Sequence, residues 1–401
     1  MKRSCSVYDI ISDDLITRTL VADVGIESKL LSWQIEDFTK KGDNYASYVT
    51  SLLVNYQKGK KNYQNSYIAK INPQRPVSSF TQMLEGSYKR EMIPIKAPKP
   101  YTRSFEKGRE VLVIEDLRKK GFSMHERTKG FDLKHSILVV EELARFHASS
   151  LLFEETLEKK SIPESFDHFE VWLDNNEICS FFNVIIGSQC ISTIKLLKNF
   201  PKYEKCITWL EKRMDCLAQL YRDVLSPSRS FNVLIHGDCR ASNILFRNDE
   251  IGSPQDVRFV DFQGTRKSSP SNDLIYFLFS SVDSHVRRQD IQIIENAYYE
   301  SFCKVLYAAG EQPPFTLKEL RLDMKERKVF GMLSGILILP VSLAEGDEIW
   351  DLESLCNNTL KDFVKNQKDK FSQLVMRDGP FKNRFLSIFD EMIESGVCDE
   401  N

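Results

Sequence analysis

The sequence predicts an α+β chain of two lobes, a small β-rich one followed by a large, mainly helical one. Three observations predict it. Short β-rich runs separated by Lys, Gly and Asn turns dominate from Trp33 to Leu117. Apolar positions recur at helical spacing after residue 132. Between helical stretches, residues 231 to 262 return to strand character and carry an uncommon density of His, Asp and Asn.

In chain order, "WQIEDF", "YASYVTSLLVNY", "NSYIAKI" and "EVLVIEDL" read as strands. Residues Phe80 to Ile93 allow one helix, ended by Pro94, and Pro98 and Pro100 then keep the chain extended. The lobes join near Glu115 to Leu117. Residues 132 to 151 repeat apolar positions at helical spacing. The run 203 to 225 places Ile207, Leu210, Met214, Leu217, Leu220, Tyr221 and Leu225 on one stripe. Helical patterns return at 289 to 308, 315 to 344, 358 to 375 and 380 to 395. Within 231 to 262, "NILF" and "VRFVDF" flank the turn-rich "RNDEIGSPQD" and predict a β-hairpin.

The bulk numbers exclude several classes. A net charge of -2 with mixed signs across 401 residues leaves no nucleic-acid footprint. Nine cysteines without a CxxC pair argue against a disulfide framework and read as buried thiols of a reducing compartment. The N-terminal "MKRSCSVYDIISDD" has no apolar core ahead of its acids, so it does not read as a secretory signal. The most apolar stretch, Val329 to Ala344, falls short of the ~20 residues of a spanning helix and contains Gly331, Gly335 and Pro340. A buried core helix, no membrane partner and a cytoplasmic setting are expected. Oligomeric state is not legible.

The chemistry concentrates in "HGDCRASNILF", residues 236 to 246. The hairpin would bring Asn243 and Asp261 to adjacent strand ends. An amide oxygen and a carboxylate, completed by waters and phosphates, form the sparse hard-oxygen set that Mg²⁺ prefers. Asp238, on the loop before that Asn, is placed to accept a proton from an incoming hydroxyl. Taken singly, each residue has an ordinary reading: HGD as a turn, His236 as a buried orienting residue, Asp273 as a helix cap that also anchors the loop beneath it. The ordered combination of HGD, Asn243, "DFQ" and "SPSNDL" is what favours phosphotransfer.

The set "LIHGDCRASNILF … VRFVDFQ … SPSNDLIYFLFSS" resembles the ecdysteroid kinase-like (CHK kinase-like) family, related to choline kinases and aminoglycoside phosphotransferases. "KKGDNYASYV", "VLVIEDLRKKGF" and "LVVEELARFHASS" extend the resemblance from about Trp33 to Gly396. It implies a bilobal protein-kinase-like fold, ATP and Mg²⁺ as co-substrates, and phosphorylation of a hydroxyl on a small molecule. Residues 1–116 would form the nucleotide-covering lobe, and 117–401 the lobe of catalytic loop, metal site and acceptor pocket.

By motif, Asp238 matches the catalytic base, Asn243 and Asp261 the metal ligands, and Lys70 the strand lysine that holds nucleotide phosphates. Strand alternation agrees for Lys70, since Tyr67, Ala69 and Ile71 face one way and leave Lys70 beside Ile68 on the other. A helix glutamate should pair with Lys70; Glu85 fits best and Glu91 is the alternative. In "GDNYAS" the loop around Asn44 and Ser47 would cover the phosphates, and Glu115 and Leu117 would offer backbone groups to adenine. The family commonly has Leu-Trp after the HGD aspartate, whereas here Cys239-Arg240 follows. Arg240 reads either as a surface arginine or as a stabiliser of phosphoryl charge.

A protein kinase is disfavoured, because "DFQ" replaces DFG and the short spacing to "SPSNDL" leaves no activation segment. A pseudokinase that binds a small ligand or partner is the non-enzyme alternative. The acceptor stays open. "FDHFEVWLDNNEICSFF", residues 166 to 182, mixes aromatics with acids and would suit a steroid, an amine, or a plain amphipathic helix.

Overall fold

The computed structural model describes residues 10–36, 48–71, 95–104, 109–126, 128–166, 176–228, 231–343 and 379–399, together with Glu106, Phe371 and Leu374. The expected helix at Phe80 to Ile93, the loop holding Asn44 and Ser47, and both Glu85 and Glu91 lie outside these residues. Most of the expected helix at 358 to 375 does too.

The N-terminal part is an antiparallel sheet. Strands β1 (Ser28–Glu36), β2 (Tyr48–Lys58), β3 (Lys61–Ile71), β4 (Pro100–Ser104) and β5 (Val111–Glu115) lie in the order β1-β2-β3-β5-β4. Their alternation drives one face inward. Leu52, Val54, Tyr67, Ala69, Ile71, Val111 and Val113 are buried there against a helix, α1 (Asp13–Val24), through Leu15, Ile16 and Leu20. The sequence reading had not assigned that helix. Its start is set locally: the Ser12 side chain accepts from Leu15 N at 3.3 Å, and Asp13 and Asp14 occupy the first turn. Strand β4 is a second addition, formed where the prolines had predicted only extended chain.

The C-terminal part holds its own larger core. Helix α2 (Leu133–Glu155) packs against a later helix, Ile291–Ala308. The stripe predicted over 203 to 225 is broken into α4 (Glu204–Arg213) and α5 (Leu217–Leu225), which follow α3 (Asn176–Leu197). A short strand, β6 (Ser123–Met124), and β7 (Val233–Ile235) precede the hairpin, which is present as β8 (Ile244–Asn248) and β9 (Pro254–Phe259), with β6 pairing along β8. After it come β10 (Arg266–Ser268), α6 (Pro270–Ser280), α7 (Ser284–Gln289), α8 (Ile291–Ala308), α9 (Leu317–Glu326), α10 (Lys328–Leu343) and α11 (Pro380–Glu394).

The apolar run Val329 to Leu343 is a core helix, as expected. A Cβ on Gly335 would sit 2.3 Å from the Ile388 side chain, so this residue lets α10 and α11 approach closely. No helix among the described residues is long and apolar enough to cross a membrane.

The link into β4, residues 95–99, is stitched to the C-terminal part. Phe259 N donates to Lys96 O at 3.0 Å, Lys96 N donates to Glu142 Oε1 at 3.1 Å, and Lys96 Nζ pairs with Asp256 at 2.8 Å.

Candidate active site

Strand β7 delivers the chain into the His236–Gly237–Asp238 turn, and a 3₁₀ turn, Ala241–Asn243, carries it into β8. The hairpin then returns through β9. Val260 N donates to Asn243 O at 3.0 Å, so the last rung of the ladder sets Asn243 beside the residue that precedes Asp261. Asp261 is one of two non-glycine residues with positive φ among the described residues, at φ 64 and ψ 63. A left-handed aspartate costs about 1 kcal/mol or more, a strain that concentrates at functional positions.

From the opposite side, Lys70 of β3 forms an ion pair with Asp261 Oδ1. Both side chains are about a fifth exposed. Burial pushes the Asp261 carboxyl up, but the charge and hydrogen bond of Lys70, reinforced by Arg240, hold it below the usual carboxylate range.

Asp238 is held by three donors. Its Oδ1 accepts from Tyr276 Oη at 2.5 Å and Arg240 Nε at 3.1 Å; its Oδ2 accepts from Asn243 Nδ2 at 2.9 Å. Arg240 is therefore not a surface arginine. It is 8 % exposed and ion-paired with Asp238. Asn243 Nδ2 also donates to Asp238 O at 2.9 Å, which fixes the orientation of the amide, since two acceptor oxygens demand the NH₂ group. Its Oδ1 is the atom left to serve a cation.

Beneath the turn lies a buried anchor. Asp273 of α6 accepts from His236 N at 2.6 Å, Gly237 N at 2.9 Å and His147 Nε2 at 3.1 Å, while His147 Nδ1 meets Tyr298 Oη at 2.8 Å. Burial would raise the Asp273 carboxyl, but the His147 hydrogen bond and the Gly237 amide lower it below its ordinary value. The anchoring role expected for Asp273 is present; the capping role is not. Ser269 caps α6 instead, accepting from Ser271 N at 3.1 Å. His236 is the expected orienting residue: Nδ1 accepts from Asp238 N at 3.2 Å, so Nε2 carries the proton given to Val260 O at 3.0 Å.

Gly237 has φ 78, and a Cβ there would fall 2.0 Å from Gly264 O. The HGD turn and the turn after Asp261 thus touch backbone to backbone.

The structure brings Lys70, Asp238, Asn243 and Asp261 together. Glu115 and Leu117 sit apart from them, at the end of β5 and the turn that follows. Glu115 N donates to Lys99 O at 2.9 Å and the Leu117 carbonyl accepts from Phe122 N at 3.2 Å. Sequence reasoning missed Tyr276, His147 and Tyr298. The available signals were a tyrosine three residues after Asp273, on the same helix face, and a lone His inside the apolar "ARFHASS". Of the candidate acceptor segment, Phe166 is described and stacks on Phe153; Asp167 to Asn175 lie outside the described residues.

A carboxylate held ionised by a lysine, beside an amide oxygen turned away from Asp238, suits Mg²⁺, which takes few protein oxygens and keeps positions for phosphate and water.

A strand lysine joined to an acid after a hairpin, with Asp and Asn on the preceding loop, defines a kinase-like protein built from an N-terminal antiparallel sheet and a mainly helical C-terminal part. Residues 89–311, more than half of the chain, match the Ecdysteroid kinase-like family, and the chain belongs to that family. The matched segment includes Asp238, Asn243, Asp261 and Asp273 and begins after Lys70.

An uncharacterized kinase-like protein of Caenorhabditis elegans is 27 % identical over 247 residues, 61 % of this chain; the match spans 60 % of that relative's length. Among solved structures, a Plasmodium vivax ethanolamine kinase is 13 % identical with a TM-score of 0.40, covering 89 % of this chain and 84 % of its own. Aminoglycoside 2'-phosphotransferase-IIIa, in its GDP complex, is 13 % identical with a TM-score of 0.36, covering 89 % and 97 %.

Proposed function

We propose that the chain is an ATP- and Mg²⁺-dependent small-molecule kinase that transfers the γ-phosphoryl group to a hydroxyl of a small acceptor. One observation carries the reading: Lys70, Asp261, Asn243 and Asp238 converge from a sheet strand, a hairpin end and one loop. In phosphoryl transfer the protein contributes positioning and charge neutralisation more than covalent chemistry. Lys70 is the cation that would turn from Asp261 to the phosphates. Asn243 Oδ1 and the Asp261 carboxylate would hold Mg²⁺, which when bound neutralises charge on the phosphoryl oxygens.

Asp238 would accept the hydrogen bond of the acceptor hydroxyl. Donors at 2.5 and 3.1 Å occupy Oδ1, whereas Oδ2 takes Asn243 Nδ2 at 2.9 Å and only a long contact of 3.4 Å from Arg240 Nε, so Oδ2 is the place for it. Tyr276 and Arg240 keep that carboxylate from rotating. In this reading residues 1–116 cover the nucleotide, with Asn44, Ser47, Glu85 and the Glu115–Leu117 hinge contributing, and residues 117–401 carry the catalytic loop and acceptor pocket. The family's name favours an ecdysteroid-like alcohol as acceptor.

The test is a turnover screen of hydroxylated steroids, amino alcohols and aminoglycosides with ATP and Mg²⁺. On any acceptor found, Asp238→Asn should leave Mg·ATP affinity within a few-fold by calorimetry while kcat falls ~10²-fold or more. Asp261→Asn should weaken Mg·ATP binding as well as abolish turnover. Nucleotide binding with no turnover on any acceptor would favour the ligand-binding pseudokinase instead.

A further inference from the structure

Far apart in sequence, Cys206 and Cys398 lie Sγ to Sγ at 3.3 Å. Cys206, on α4, is fully enclosed, and its thiol faces Phe389 O of α11 at 3.8 Å. Cys398, in the 3₁₀ turn Val397–Asp399, is half-buried and open to solvent on one side. The contact is pinned by neighbours on both elements. Lys205 Nζ meets Asp399 Oδ1 at 2.6 Å, and on the adjoining turn Lys202 Nζ and Tyr203 Oη meet Asp390 Oδ1 at 2.7 and 2.9 Å. A disulfide has its sulfurs about 2.05 Å apart, so closing the gap asks for roughly 1.3 Å of movement, within reach of side-chain rotation and a slight shift of the terminal turn.

The two thiols are also unequal. The hydrogen bond with Cys398, burial and nearby acids push the Cys206 thiol up. The hydrogen bond with Cys206, with Arg213 and Lys205 nearby, lowers Cys398 below the usual thiol value despite burial and Asp399. The accessible sulfur is the one that favours the thiolate, and the enclosed one sits behind it.

We propose that Cys206 and Cys398 form a dithiol oxidation site that exchanges with a small-molecule disulfide such as oxidised glutathione and closes an intrachain disulfide. The Cys398 thiolate attacks one sulfur of the small disulfide, forming a mixed disulfide and releasing one small thiolate, which takes a proton. Cys206 then gives its proton to solvent and attacks Cys398 Sγ, releasing the second small thiolate, which is protonated in turn. Two protein thiols lose two electrons, and one small disulfide becomes two thiols. The new bond spans most of the C-terminal part, so it removes conformational freedom chiefly from the unfolded chain.

The test incubates the full chain with oxidised or reduced glutathione, blocks remaining thiols, and reads intact mass and linked peptides. The expected product has lost the mass of two hydrogens, yields a Cys206–Cys398 linked peptide, and melts several degrees higher until reduced. Cys398→Ser should abolish that product and leave Cys206 unmodified. Cys206→Ala should instead accumulate a stable glutathione adduct on Cys398, and the exposed Cys216 serves as a reference for simple adduct formation. Retention of both thiols by wild-type protein while Cys216 is modified would overturn the proposal. A linkage joining Cys398 to a different cysteine would overturn it equally. Mass and melting read this site, so it stands or falls independently of the phosphotransfer reading.

Discussion

Two buried carboxylates in the C-terminal part meet opposite fates. Asp273, beneath the His236–Gly237–Asp238 turn, is 1 % exposed and is held below the usual carboxylate range. Glu142, on α2 beneath the segment that leads into β4, is 2 % exposed, yet burial pushes it up to about 7 against the pull of Arg145 and Lys96. The depth is the same, so the donors decide. Asp273 receives two backbone amides and an imidazole at 2.6 to 3.1 Å. Glu142 has one amide at 3.1 Å, Arg145 Nε at 3.1 Å and Lys96 Nζ at 3.8 Å, from side chains that remain about a third exposed. Fixed dipoles close at hand compensate desolvation; flexible cations shared with water do so poorly. Asp273 can therefore serve as a permanent anion on which a loop is built.

The largest expected effect comes from breaking the better-compensated site. Asp273→Leu strands two amides and His147 without their acceptor and should cost about 3–5 kcal/mol, seen in urea or thermal unfolding. The HGD turn should loosen with it. A loss under 1 kcal/mol would mean that the turn holds itself.

The next effect has the opposite sign. A carboxyl at about 7 in the native chain against 4.5 in the open chain is best accommodated as the neutral acid. Its stabilising contribution is full below pH 4.5 and is lost as pH rises through 7. Glu142→Gln should remove that slope and make the protein more stable than wild type above pH 7, by up to about 3 kcal/mol at 1.36 kcal/mol per pH unit. Unfolding free energies of the pair at pH 5 and pH 8 check it. Equal differences at the two pH values would show that Glu142 is as well compensated as Asp273.

The smallest effect isolates the helix from its aspartate. Ser269→Ala removes the α6 cap and should cost about 1 kcal/mol in thermal or urea unfolding, while the His236 and Gly237 amides keep Asp273. A loss of stability as large as that of Asp273→Leu would assign the anchoring to the helix end rather than to the carboxylate.

What the sequence made legible follows from range. The hairpin, the alternation that isolates Lys70 and the placement of Asn243 and Asp261 at adjacent strand ends depend on neighbours a few to some twenty residues apart, and pattern reading reached them. The surface reading of Arg240 stays open in the sequence because its burial depends on how the whole loop folds over Asp238. Tyr276 meets Asp238 from 38 residues away and His147 meets Asp273 from 126, distances at which a sequence offers no pairing rule. The breaks in the long helical stripes, at Met214 to Cys216 and at Arg327, were hidden for another reason: hydrophobic period survives a kink in direction. Helix α1 lacked a signal strong enough to compete with the strands after it.

The backbone contact between Gly237 and Gly264 has a consequence for tolerance. Hydrogen bonds stretch, and ion pairs weaken with salt, but two peptide groups already touching give way to neither. The turn that carries Asp238 and the turn that follows Asp261 move as one piece, like two teeth cut on the same gear. The spacing between Asp238 and Asp261 is thus set by atomic radii, and it should hold steady across temperature and ionic strength while the looser grip of Lys70 from β3 varies.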